Sequence, residues 1–129
     1  MKRLLIFAVM MILVAGIAYA KNYEVKKKAG DYDVVATIDN NPPVQGDNNI
    51  AISVKDSSGK AVTDAKVRVD YTMPAMPGMP AMNYNTDTKL EGSEYKAKMN
   101  FPVAGSWNIA VKITKGGKTS TMKFNVDAH

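Results

Sequence analysis

Trp107-Asn108-Ile109-Ala110-Val111-Lys112-Ile113, then the turn Gly116-Gly117, then Ser120-Thr121-Met122-Lys123-Phe124-Asn125-Val126, decides the fold class. An apolar side chain at every second position puts one face of an extended chain in a core and the other in water. Trp107, the only tryptophan, lies on the apolar face of the more regular run and is expected at the centre of the core. The same period extends upstream. Tyr32, Val34, Ala36 and Ile38 alternate up to the break at Asn40-Asn41-Pro42-Pro43, and Ile50, Ile52 and Val54 up to Asp56-Ser57-Ser58-Gly59. Ala65, Val67, Val69 and Tyr71 form a further set. Thr86 to Leu90 is a weaker strand, turned at Glu91-Gly92-Ser93, and Tyr95, Ala97, Met99 and Phe101 follow.

About seven short strands, with turn signals every ~8–12 residues and no sustained helical period, predict an all-β, immunoglobulin-like antiparallel β-sandwich. Val34, Ile52, Val67, Trp107, Ile109, Val111 and Phe124 are its expected core. The chain has no cysteine, so apolar packing must hold the sandwich without a disulfide, and thiolate metal sites are excluded.

The first twenty residues have a different grammar. Lys2 and Arg3 precede an apolar run from Leu4 to Ala18, and Ala18-Tyr19-Ala20 gives a small-x-small cleavage pattern. This predicts a signal peptide over residues 1–20, cleavage after Ala20 and a periplasmic or otherwise exported protein. The competing expectation is an uncleaved N-terminal anchor. Residues 21–31 are expected to be a polar lead-in, and residues 32–129 the sandwich domain. Removing the leader leaves fifteen basic residues against twelve acids, a modest +3. Lys26-Lys27-Lys28 is expected to be a solvated cluster, and membrane contact to be peripheral at most unless the leader is retained. Without a long basic stripe carrying interleaved aromatics, nucleic acid is not an expected partner.

One segment does not fit the strand pattern. Met73-Pro74-Ala75-Met76-Pro77-Gly78-Met79-Pro80-Ala81-Met82 carries four of the six methionines outside the leader, at a spacing of three. Its prolines fix φ and remove donors, which excludes helix and central strand. Polyproline II has about three residues per turn, so Met73, Met76, Met79 and Met82 would share one edge of a stiff rim loop over 73–82. On straight polyproline II neighbouring methionines stand roughly 9 Å apart and the outer pair nearly 28 Å, so converging on one ion requires a bend. Gly78 is where that bend is easiest. Thioethers are soft ligands that favour Cu(I), with Ag(I) as its mimic. Packing is the alternative, because methionine is also an adaptable filler. Met99 and Met122 fall on apolar strand faces and are expected in the core, with a secondary role as ligands if they reach the rim. His129, the only histidine and the terminal residue, is expected to be a solvated tail, with an extra ligand as the second possibility.

The chain from Asn40 to Val111 resembles the YtkA-like/FixH-like family of exported or membrane-anchored small β-sandwich domains. Pro43-Val44-Gln45-Gly46-Asp47-Asn48, Val54-Lys55-Asp56 with Gly59, and Asp64-Ala65-Lys66-Val67 carry the resemblance. So do the Met-Pro-Ala-Met segment, Gly92-Ser93-Glu94-Tyr95-Lys96-Ala97 and Val103-Ala104-Gly105-Ser106-Trp107. The resemblance implies an immunoglobulin-like fold over 32–129 and an association with copper handling. The partners it implies are a copper transporter, an efflux component or an oxidase assembly protein. FixH-like members keep a membrane anchor, whereas the leader here has a cleavage pattern. The methionine repeat is also fuller than the minimal Met-Pro-x-Met.

No catalytic constellation is present. One terminal histidine and no cysteine leave no nucleophile–base pair, and Glu91 and Glu94 are expected to be solvated turn residues. The expected function is an exported Cu(I)-binding, non-enzymatic protein. The alternative is a metal-free interaction module of the cell envelope.

Overall fold

The computed structural model describes residues 22–129, and the expected signal peptide lies outside them. Nine strands make up the described chain: β1 (Tyr23–Ala29), β2 (Tyr32–Ile38), β3 (Gly46–Lys55), β4 (Lys66–Met73), β5 (Met82–Asp87), β6 (Lys89–Glu91), β7 (Glu94–Phe101), β8 (Gly105–Lys115) and β9 (Lys118–Ala128). They form two antiparallel sheets, ordered β1-β2-β3-β7-β6 and β5-β4-β8-β9. Setting β1 aside, these orders are those of the A-B-E-D and C′-C-F-G sheets of an immunoglobulin sandwich.

The alternating residues meet between the sheets. Val34, Ile52, Val67, Trp107, Ile109, Val111 and Phe124 are all buried, as the period of two predicts. Trp107 is fully buried, and its indole N–H donates to the Val103 carbonyl at 3.1 Å, which satisfies its one polar atom.

Two differences from expectation concern strands. Residues 21–31 are not a polar lead-in, because β1 pairs with β2 along its whole length, from Tyr23 opposite Ile38 to Ala29 opposite Tyr32. Its inward side carries Tyr23, Val25 and the buried Ala29, and Lys27 Nζ reaches across to the Lys123 carbonyl at 3.0 Å. The weak strand at Thr86–Leu90 is two strands in different sheets. The chain leaves β5 and enters β6 at Thr88, whose N–H and hydroxyl both donate to the Val67 carbonyl, at 3.2 and 2.8 Å.

Asn48 is completely buried and organises the loop between β2 and β3. Its amide donates to the carbonyls of Val44 (2.7 Å) and Gly46 (3.2 Å), and its Oδ1 accepts from the Val44 N–H (3.0 Å) and the Asn40 amide (3.1 Å). Asn48→Ala would remove the partner of several part-buried polar groups. The expected loss is about 1–3 kcal/mol in urea unfolding, and an unchanged midpoint would show that the loop folds without this network.

Candidate metal-binding hairpin

The methionine segment is a β-hairpin and not a polyproline II rod. Met73 and Met82 are paired across β4 and β5, and Met76 and Met79 form a second bridge in the same register. Pro77 and Gly78 make the turn between them. Proline's fixed φ at the first turn position and Gly78 at φ 80° at the second define a type II turn, which a Cβ at Gly78 would strain. The backbone closes it reciprocally, with Met79 N–H donating to Met76 O at 2.8 Å and Met76 N–H to Met79 O at 2.9 Å. Pro74 and Pro80 have no N–H to offer, so regular pairing lapses between the two bridges.

This geometry converts a linear row into two facing pairs. Partners across an antiparallel pair hold their Cβ atoms about 4.5–5.5 Å apart. Three residues of strand separate the two pairs by roughly 10 Å, against nearly 28 Å end to end for the straight rod. The bend falls at Gly78, where the sequence allows it most easily.

The four thioethers are not equivalent. Met73 is buried, and its terminal methyl lies 3.0 Å from where a Cβ on Gly105 would stand, a position whose φ of 136° itself favours glycine. Met79 and Met82 are half-buried against the core, while Met76 is 47 % exposed at the apex. Met76, Met79 and Met82 therefore share the accessible part of the hairpin. Met73 anchors its base.

The base rests on aromatic rings. Tyr71 and Tyr84 form the next pair on the same face of these two strands, beyond Thr72 and Asn83, and are stacked at 5.5 Å. Tyr71 also contacts Phe101 edge-on at 5.7 Å and Trp107 at 6.1 Å, and Phe101 lies 5.1 Å from Trp107. The Tyr71 hydroxyl accepts the Asn100 N–H at 3.4 Å. A hairpin with this floor is positioned by the centre of the core.

Met99 and Met122, the weaker ligand candidates, are sealed in the core and do not reach the rim. His129 is exposed but is not a loose tail: its N–H donates to Pro43 O at 3.0 Å and its carbonyl accepts the Gln45 N–H at 3.1 Å. The pairing of Gly105 with Ala128, together with the Met73–Gly105 contact, puts His129 at the same end of the sandwich as the hairpin. Strand β8 intervenes between β4 and β9, a lateral distance of roughly 10 Å. No local sequence signal marks this pinning, which depends on the β2–β3 loop folding against the end of β9.

Hard ligands are not gathered anywhere near. Among the described residues, no group of three or more His, Cys, Asp or Glu side chains is placed to hold a metal ion. The carboxylates with displaced pKa values sit at the far end. The Ser58 hydroxyl holds Asp56 below the usual carboxylate range, and Lys115 does the same for Asp64 through a 3.1 Å ion pair.

A disulfide-free immunoglobulin-like sandwich with a methionine hairpin at one end is the class that fold and site define. The sequence model of one family, described as YtkA-like, matches residues 26–112, which run from β1 through the hairpin into β8. The chain belongs to the YtkA-like family. Among solved structures, it is similar to the soluble domain of PmoD from a Methylocystis species, at 13 % identity and TM-score 0.53, covering 81 % of this chain and 96 % of that one. It is also similar to FetP from uropathogenic E. coli, at 7 % identity and TM-score 0.52, covering 84 % and 95 %. At these identities the likeness is one of fold. No curated protein sequence matches the chain.

Proposed function

We propose that this protein is an exported carrier of Cu(I), held with Ag(I) as its mimic by thioethers of the β4–β5 hairpin. The observation that carries the reading is the pairing of Met76 with Met79 at an open apex, with Met82 on the same hairpin. Soft, neutral sulfur donors favour monovalent copper and silver over Zn(II) and the hard cations. Two or three thioethers fit one such ion without His129, which stands at the same end but roughly 10 Å to the side. Family membership supports the copper association, and the leader grammar of residues 1–20 supports export. A copper transporter, an efflux component or an oxidase assembly protein would then be the partner that exchanges the ion. No catalytic step is assigned.

A metal-free docking role is the second reading, and one observation favours it. The exposed large hydrophobic residues Met76, Tyr84 and Leu90 (47 %, 40 % and 40 %) all lie along the edge formed by the hairpin, β5 and β6. Silver separates the two readings. A ligand that binds only the native state stabilises it by about 2.7 kcal/mol at a free concentration one hundred times Kd. Ag(I) is therefore expected to raise the thermal midpoint by several degrees and Zn(II) to leave it in place. No shift with Ag(I), or equal shifts with both ions, would favour the docking surface.

A further inference from the structure

The fold sorts the six described methionines by access. Met73, Met99 and Met122 are sealed, Met79 and Met82 are half-buried, and Met76 alone is open. Oxidation of a thioether follows its exposure. The position of Met76 also makes its modification harmless to the fold. Its main chain is fixed by the reciprocal bonds to Met79, and its side chain is not among those packed on the core. A sulfoxide there stays solvated, whereas one at Met73, Met99 or Met122 would bury a polar oxygen without a partner.

We infer that Met76 is a reversible redox-modification site. Oxidants of the peroxide class convert its thioether to the sulfoxide ahead of the other methionines, and this turns off soft-metal binding by the hairpin while the sandwich stays folded. The metal half of the inference rests on the reading above. In the reaction a sulfur lone pair attacks one peroxide oxygen, forming the S–O bond as the O–O bond breaks. The departing hydroxide takes the proton from the sulfur-bound oxygen and leaves as water. Sulfur loses two electrons and the peroxide gains them. The product has lost the soft donor and gained a polar oxygen, and methionine sulfoxide reductases reverse the change.

The test has two arms. The purified, folded protein is treated with less than one equivalent of hydrogen peroxide and its peptides are mapped by mass. Sulfoxide at Met76 is expected to exceed that at Met79 and Met82, and that at Met73, Met99 or Met122 by at least about tenfold. Comparable oxidation of all six would overturn the inference. Untreated, oxidised and reductase-repaired protein are then titrated with Ag(I). Oxidation is expected to lower affinity by about tenfold or more, with the metal-free thermal midpoint unchanged, and repair to restore it. Equal silver affinity before and after oxidation would overturn the switch and leave the metal reading standing. A fall in the metal-free midpoint would show damage to the fold and overturn it too. Failure of the untreated protein to bind silver would remove the metal reading, and the switch with it.

Discussion

Replacing Trp107 with alanine is expected to lower folding stability by about 3–5 kcal/mol, the range for deleting a large buried aromatic. The indole is fully buried, touches Phe101 and Tyr71, and donates to Val103. Its loss opens a cavity and leaves the Val103 carbonyl without this partner. Domains of this size are stable by only ~5–15 kcal/mol, so the variant would retain a fraction of its margin or unfold. The consequence reaches the hairpin, because Tyr71 and Tyr84 both rest against the indole, at 6.1 and 6.2 Å. Urea unfolding of the wild type, Trp107→Ala and Trp107→Phe checks this, with phenylalanine expected to restore part of the loss. A loss below about 1 kcal/mol for alanine would contradict a core centred on Trp107.

The sandwich was legible because each strand buries one face and so writes a period of two into the sequence. The run from Trp107 to Ile113 shows the pattern most plainly, and all four of its odd-numbered apolar residues are buried. Strand β1 obeys the same rule, with Tyr23 and Val25 packed on the core. Lys26-Lys27-Lys28 masks the alternation, because the inward position Lys27 is filled by a side chain long enough to reach the Lys123 carbonyl. The switch of sheets at Thr88 has no periodic signature, since it depends on a tertiary bond to Val67.

For the hairpin, the spacing of three points to a polyproline II rod, whereas the chain turns back at Gly78, where the sequence places the bend. Pro77-Gly78 is a type II turn signature, the local signal in the sequence for the hairpin. A turn centred there necessarily sets Met76 opposite Met79 and Met73 opposite Met82, as the bridges show. The core positions of Met99 and Met122 followed from strand phase. So does the burial of Met73, which continues the phase of Val67, Val69 and Tyr71 along β4 and finds room beside Gly105.

The second large effect concerns the apex. Replacing Met76 and Met79 together by leucine keeps size and apolarity, and such exchanges usually cost less than about 1.5 kcal/mol. The type II turn, its glycine and its backbone bonds are untouched, so the metal-free fold is expected to persist. Both sulfurs of the open pair are lost, and Cu(I) and Ag(I) affinity should fall by about a hundredfold or more if each thioether contributes at least a factor of ten. Acidity adds an independent criterion. A thioether has no proton to lose, so binding through sulfur alone should be nearly equal at pH 5 and pH 7. A site that depended on imidazole would weaken as pH falls below about 6.5.

The most direct measurement is a competitive Cu(I) titration against a chelator of known affinity, at pH 5 and pH 7, comparing the wild type with the Met76→Leu/Met79→Leu variant. The account predicts strong wild-type binding that changes little with pH, and loss of that binding in a variant that remains folded. Equal affinities for the two proteins would contradict it and leave the hairpin as a docking surface.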